Sequence, residues 1–413
     1  MNRRVFLAAS TAGLLRAQTP TASFGNLKPM TGDIQPIGED ERVARIEKAR
    51  RLMRENGIAA IVCQGGASLF YYTGVRWAAG PTLAWVLPAK GEAAWVVAEA
   101  EVDRARQAMR MSADRAGTNI RTWATGDDAA YARMAQFLRE RGASGRIGIE
   151  EKATFALFDG LRRQAPKLEF VSADPVTVGC RVIKSPAEIA LLQRANDITI
   201  AAYRAAFSTL KEGMTNGELS ANVAGAYRAL GVTGDAMVIF GKYTAFPHGS
   251  IQPQQLREGD LVLVDDGCTV DGYQSDITRT MIFGKPNPRQ RRVWNLERAA
   301  QDAALAAATP GATCESVDAA ARKVITDAGF GPGYQVPGLP HRTGHGIGLE
   351  GHEWTNLVKG NKTQLEPGMC FSNEPTIAIY GEFGVRLEDC MHITPEGARM
   401  FTPQSPAIDR PFG

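Results

Sequence analysis

Histidine is scarce in this chain, with five among 413 residues and none before residue 240. Cysteine is scarce too. Cys63, Cys180, Cys268, Cys314, Cys370 and Cys390 are scattered with no Cys-x-x-Cys, which excludes a zinc ribbon and a dense disulfide framework and leaves room for an incidental bridge at most. Cys390 stands near His392, but residues two apart on a strand make no catalytic triad, and the cysteines read as small buried hydrophobes. Net charge is only +3, and Arg3, Arg4 and Arg16 lie in an acid-free N-terminus; beyond them the 44 acids are matched by Lys and Arg one for one. A neutral body gives no electrostatic footing for nucleic acid or an anionic membrane. No nucleotide loop, low-complexity tract or solenoid repeat is present.

What is present suits two domains, with 44% hydrophobic residues to build their cores. Asn2-Arg3-Arg4-Val5-Phe6-Leu7 resembles a twin-arginine export signal, with an apolar run to Leu15 and a small residue at Ala17. That run is too short to persist as a membrane span. A signal over 1–17 implies export in the folded state and a periplasmic location. Residues 18–38, rich in Pro, Gly and Thr, read as a linker. A charged amphipathic helix follows from Glu39 to Asn56, stopped by Gly57. Ile58–Cys63 is a buried strand, and Thr82–Leu87 and Ala93–Ala98 are two more around a turn. Alternating strands and helices continue to about Val178, with Glu150-Glu151 read as an exposed loop or helix start. Near 180–186 a boundary falls. Ser185-Pro186-Ala187-Glu188 is a capping box with proline at the first helical position, opening a helix to about Lys211. Thr215-Asn216-Gly217-Glu218 opens a second, to about Leu230. Met237–Phe246 reads as a strand delivering His248. Helices over roughly 288–308 and 314–328 precede a strand-rich end.

The chemistry gathers first in LVLVDDGCTVDGYQSDITRT, residues 261–280. Leu261–Val264 is an apolar strand, Asp271-Gly272 a turn dipeptide, and Tyr273–Ile282 a returning strand. Across such a hairpin the spacing sets Asp265 and Asp276 opposite each other to within a residue. Opposed Cβ atoms are about 5 Å apart, so like charges there need something positive between them. A divalent cation is the simplest candidate. Strand alternation turns the neighbouring Asp266 away. His341, His345 and His352 lie together in HRTGHGIGLEGHE, where Gly344, Gly346 and Gly348 permit close backbone approach to a metal. No apolar strand precedes these glycines and no Lys-Ser/Thr follows, which argues against a phosphate loop. Glu374 ends an apolar segment and Glu388 lies on a β-rich run. They bracket a turn at Gly381–Gly384, a second hairpin that would set them face to face. Each acid alone could be an ordinary ion-pair partner. Together Asp265, Asp276, His345, Glu374 and Glu388 suit two divalent ions sharing carboxylates. The oxygen-rich set favours manganese, with cobalt or zinc as alternatives, over copper.

These residues resemble the pita-bread metallopeptidases of the prolidase and aminopeptidase P type. The resemblance covers roughly 40–410. Its markers occur in order: SLFYYTG at 68–74, RVIKSPAEI at 181–189, FPHG at 246–249, the paired aspartates, HRTGHGIGLEGHE, NEP and GVRLED. Asp266 departs from it, since the family often has a small or apolar residue there. The resemblance implies an α/β (α+β) fold, with a creatinase-like N-terminal domain over 39–180 and a C-terminal pita-bread domain over 181–413. It implies Asp265 on one metal ion, His345 and Glu374 on the other, and Asp276 and Glu388 bridging. It also implies hydrolysis of the bond before proline by a metal-bridging hydroxide, with Glu374 as proton shuttle and His248 and His352 at the scissile carbonyl. His341 and Arg386 fall near the residue after the scissile bond. There Arg386 either forks with a terminal carboxylate or pairs with Glu388 or Glu382. The implied partners are a small peptide with proline after the scissile bond and a second copy of the chain in a homodimer. The alternative is a related hydrolase or lyase acting on a small non-peptide amide or amidine. A non-enzymatic binding module would be expected to have lost ligands, and here none is lost.

Overall fold

The computed structural model describes residues 22–78, 80, 82–111, 119–124, 126 and 128–412. The expected signal over 1–17 lies outside the described residues. Residues 22–38 carry no helix or strand, yet Phe24, Leu27, Met30 and Ile34 pack on the main core and Met30 N–H donates to Leu230 O at 2.9 Å.

Helix α1 (Glu39–Glu55) stops where Gly57 takes φ 62°, a conformation glycine adopts without penalty. The amino-terminal half then runs β1 (Ile58–Cys63), α2 (Gly66–Thr73), β2 (Leu83–Pro88), β3 (Ala94–Ala98), α3 (Val102–Met111), β4 (Ile120–Trp123), α4 (Ala129–Glu140), β5 (Arg146–Ile149), α5 (Phe155–Gln164), β6 (Glu169–Ser172) and α6 (Asp174–Arg181). Its strands form one six-stranded mixed sheet in the order β4-β3-β2-β1-β5-β6. Side chains alternate between two cores, as strand geometry requires. Val62, Val86 and Val96 meet α4 and α5 on one face, through Met134, Phe137 and Leu161. Ile61, Trp85 and Trp95 meet α1 and α6 on the other, and that core continues without a break into the carboxyl-terminal half. Glu150 is not the exposed acid expected. It is buried at the end of the central β1–β5 pair, where burial raises its carboxyl pKa.

Both expected capping boxes form. Ser185 Oγ accepts from Glu188 N and opens α7 (Pro186–Phe207); Thr215 does the same for α8 (Asn216–Ala229). Helix α7 ends four residues short of the expected Lys211, in a tight turn where Leu210 N–H donates to Phe207 O. Strands β7 (Thr233–Gly234) and β8 (Met237–Phe240) follow. The strand expected to run to Phe246 ends at Phe240, because Gly241 turns to φ 57° and a 3-10 turn over Gly241–Ala245 carries the chain on. Next come β9 (Leu261–Asp265), β10 (Cys268–Val270), β11 (Tyr273–Gln274) and β12 (Arg279–Ile282), then α9 (Pro288–Ala307) and α10 (Cys314–Asp327). The chain ends in β13 (Gly344–Gly346), β14 (Glu353–Leu357), β15 (Cys370–Asn373), β16 (Thr376–Ile379), β17 (Phe383–Arg386), β18 (Asp389–Thr394) and β19 (Gly397–Met400). Helices α7 and α8 pack on β7, β8, β10 and β11. Helices α9 and α10 pack, through Val293, Trp294, Val317 and Ala321, on a second core with Phe371, Ile377, Val385 and Met391 of β15–β18. All six cysteines are free and buried, as read, and burial pushes their thiols up, to about 11 at Cys268 and Cys314 and about 12 at Cys370. Among the described residues no helix is long and apolar enough to cross a membrane.

Candidate metal centre

Two hairpins build the site, and their registers place the acids. In the first, β9 pairs with β12 (Val264 opposite Arg279) and β10 with β11 (Val270 opposite Tyr273), in one continuous register. That register faces Asp265 with Thr278, so Asp276 stands diagonally, two residues off, and not directly opposite as the spacing suggested. The returning strand expected over 273–282 breaks at 275–278. Across the gap Asp266 has φ 103°, which leaves the ladder and upsets the alternation. Asp266 therefore does not face away: it sits exposed at the cavity rim and accepts from Met237 N at 3.2 Å. In the second hairpin, β15 pairs with β18 (Asn373 opposite Asp389) and β16 with β17 (Thr376 opposite Arg386). Their common register sets Glu374 and Glu388 face to face, as expected. Pro375 has no N–H to continue the ladder, and here the hairpins reach other segments. Glu388 N donates to Thr278 O at 3.2 Å, and Glu374 N to Thr343 O at 2.8 Å.

His345 lies at the centre of β13, between β14 and β15. The flanking glycines serve strand packing: a Cβ at Gly344 would lie 2.1 Å from Ser372 O, and one at Gly346 2.7 Å from Trp354 O. His345 Nδ1 faces Gly346 O at 3.1 Å. A carbonyl only accepts, so Nδ1 carries the proton and Nε2 presents a lone pair. That lone pair meets Glu374 Oε1 at 3.2 Å and Asp276 Oδ2 at 3.6 Å. Donor atoms of Asp265, Asp276 and Glu388 lie within 4.8 Å of one another, and so do those of His345, Glu374 and Glu388. Glu388 belongs to both triads. A third group joins Asp276 to His345 and His352. Buried Glu388 Oε1 has no hydrogen-bond partner.

Such a cluster is electrostatically unfinished. Burial, then the charges of Asp265 and Glu374, push the Asp276 carboxyl well above its usual range. Burial and then Asp276 do the same to Glu388. Burial also works against ionised Glu374, but the neighbouring His345, then His341 and Arg386, hold its carboxyl down at about 2. Converging oxygens, an imidazole lone pair and an orphaned buried oxygen fit two divalent cations.

All the expected residues line one cavity of about 380 Å³: Asp265, Asp276, His345, Glu374 and Glu388, with His248, His341, His352 and Arg386. His341 Nδ1 meets Arg342 O at 2.7 Å and its Nε2 meets Thr376 Oγ1 at 2.9 Å, and burial lowers its pKa. His352 stacks edge-on against His345 with ring centres 4.0 Å apart, and burial, then His345, lower it to about 4. Both rings are neutral at physiological pH. His248 is exposed at the rim. Arg386 is buried and occupied: Nη2 donates to Asp265 Oδ2, Nη1 to Pro247 O at 3.0 Å and Nε to Thr278 Oγ1 at 3.0 Å. Neither Glu388 nor Glu382 is its ion-pair partner, and Glu382 pairs with Arg289.

Sequence reasoning missed Thr278, whose Oγ1 is 2.7 Å from both Asp265 Oδ1 and Glu388 Oε2. It missed Ser372, which accepts from His345 N at 3.1 Å, and Glu297, fully buried on α9 with its pKa raised by burial against the pull of Arg386. The register would have found Thr278. No local pattern marks Glu297.

A model of metallopeptidase family M24 matches residues 190–395, and a model of the creatinase/prolidase N-terminal domain matches residues 45–183. The chain is 29% identical to the Xaa-Pro dipeptidase of Pyrococcus horikoshii, across 87% of this chain and 96% of that one. It is 35% identical to the probable dipeptidase PepE of Mycobacterium tuberculosis, across 86% and 92%. The solved structure of dipeptidase PepE from Mycobacterium ulcerans matches with a TM-score of 0.82 at 31% identity, across 91% of this chain and 99% of that one.

Proposed function

Because the chain belongs to metallopeptidase family M24, behind a creatinase/prolidase N-terminal domain, we propose that it hydrolyses the peptide bond preceding proline, as an Xaa-Pro dipeptidase or aminopeptidase using two divalent ions. The observation that carries this is the pair of ligand triads sharing Glu388. Asp265, Asp276 and Glu388 would hold one ion; His345, Glu374 and Glu388 the other. The oxygen-rich donors favour manganese, with cobalt or zinc as alternatives. Bound there, the ions would acidify water to give a nucleophile at neutral pH and polarise the scissile carbonyl.

The chain's own groups do the rest. Glu374, at the cavity wall, takes the proton lost by the attacking water and delivers it to the departing nitrogen. His248 and His352 have ring N–H groups to offer the scissile carbonyl as negative charge develops on it. His341 stands toward the residue after the scissile bond. Arg386 acts from behind, fixing Asp265, and not as an open fork for a carboxylate. Proline's tertiary amide has no N–H, so this site needs no acceptor at the leaving nitrogen. The relatives named Xaa-Pro dipeptidases support the same substrate class. Export through a twin-arginine signal and assembly as a homodimer belong to this reading; cell fractionation and sedimentation test them.

The full chain loaded with Mn²⁺ is expected to release alanine from Ala-Pro or from a longer Ala-Pro peptide. Chelator should abolish release and added metal restore it. No metal-dependent release from either substrate rejects the proposal.

A further inference from the structure

His352 is carried on a short loop between β13 and β14, and the residue after it is an acid with nowhere to go but inward. The Glu353 side chain is 4% exposed. Its Oε1 accepts from the backbone N–H groups of Leu349 at 2.9 Å and Glu350 at 3.3 Å, folding the loop back on itself. Gly348 lies against the same carboxylate: a Cβ there would be 2.7 Å from Glu353 Oε2. Two cations close on it from outside the loop. Arg181 Nη2 reaches Oε1 at 2.5 Å and Lys184 Nζ reaches Oε2 at 3.0 Å, with side chains 7% and 2% exposed. Arg181 also binds Glu350 Oε2 at 2.8 Å and Ser68 Oγ, on α2, at 3.3 Å. Lys152, from the turn after β5, pairs with Glu350 Oε1.

Buried ion pairs are costly to assemble, and hydrophobic residues would hold the same segments together at least as well. What hydrophobic residues could not do is accept the two loop amides next to His352. We propose that Glu353, clamped by Arg181 and Lys184, is a positioning residue that sets the orientation of His352 in the active cavity. Arg181 ends α6 and Lys184 lies in the connector to α7. The docking of the amino-terminal half is thereby part of the active-site geometry. Burial works against the ionised form of Glu353, but Lys184 and Arg181 hold its carboxyl down at about 2, so the carboxylate stays charged at neutral pH.

The inference rests on the peptidase reading, and its test separates the two. Lys184→Met in the full, manganese-loaded chain is expected to lower kcat on Ala-Pro by about tenfold to a hundredfold, the scale of a small misplacement of a catalytic group. KM should stay within about threefold and bound metal should be unchanged. Hydrogen exchange at the Leu349 and Glu350 amides should accelerate. Lys184→Arg should restore most of kcat. Lys152→Met, at an exposed and weaker contact, should show the same pattern in smaller measure, and serves if Lys184→Met does not fold. Unchanged kcat with unchanged exchange, or kcat and metal content falling together, overturns the proposal. If the wild type cleaves no Xaa-Pro peptide, the functional reading fails, while exchange at the two amides still decides the clamp.

Discussion

Thr278 has one hydroxyl proton and two carboxylates within reach of it. Its Oγ1 is 2.7 Å from Asp265 and 2.7 Å from Glu388, and it accepts from Arg386 Nε at 3.0 Å. A single O–H serves one acceptor at a time, so one carboxylate always keeps more of its charge for a cation. Thr278→Val keeps the shape and removes the donor. Metal affinity is expected to fall by about tenfold to a hundredfold, as for other groups that orient metal ligands, with Thr278→Ser close to wild type. Isothermal titration of the metal-free protein measures this, and an unchanged affinity rejects the role. The clustered acids were legible in the sequence because strand contexts are odd places for charge. Thr278 and Ser372 were not, since a threonine or serine in a strand carries no such signal. Arg386 was legible as a site residue but not in its role, because its partner Asp265 is far away in sequence.

At the level of elements, helices were the easiest to read. The capping boxes at Ser185 and Thr215 are local chemistry, and local chemistry survives folding. Hairpin two was also legible, because Glu374 and Glu388 lie symmetrically about its turn. In hairpin one the expected facing of Asp265 and Asp276 is two residues out, since the turn itself sets Asp265 opposite Thr278. Its turn dipeptide was right, but the left-handed Asp266 and the unpaired 275–278 cannot be read from a period of two. The glycines beside His345 carry a further lesson: Gly344 and Gly346 are demanded by their strand neighbours. Gly344→Ala would drive a methyl group to 2.1 Å from Ser372 O, prising β13 from β15. That variant is expected to lose both metal binding and several degrees of melting temperature, by metal analysis and calorimetry. Wild-type metal content in it would contradict the account.

Across the whole molecule the two halves are less separate than the sequence boundary near 180–186 suggests. One core runs from Trp85 and Met53 through Leu192 and Ile198. The apolar face of α7 reads the same whichever partner covers it, so this continuity was not legible. A second cavity of about 580 Å³ borders the first, sharing Asp266, Asp276 and His352, with Lys152 of the amino-terminal half in its wall. The charge cluster also shapes global stability. With cations removed, Asp276 and Glu388 have folded pKa values raised above their unfolded ones. Between the two values the folded chain binds the extra protons, so stability is greatest below the unfolded pKa and falls as pH rises. Each group costs about 1.4 kcal/mol per pH unit in that window. His341 and His352, whose folded pKa values are lowered, work the other way up to about pH 6.5, so the comparison belongs above it: chelated protein is expected to melt at a lower temperature at about pH 9 than at about pH 7, with a smaller difference when metal is bound. Calorimetry at both conditions checks this, and an equal or reversed order in the chelated protein refutes it.

The six cysteines, all unpaired and sealed inside with their thiols held protonated, bear on where such a molecule can live. Oxidants act on thiolate, and thiolate needs water. Intact, the protein offers them nothing, and its fold needs no disulfide-forming helper. Once the chain opens, however, hidden sulfur becomes available to pair wrongly. Oxidative damage in a population of these molecules would then be a ledger of past unfolding, not of the redox poise around them.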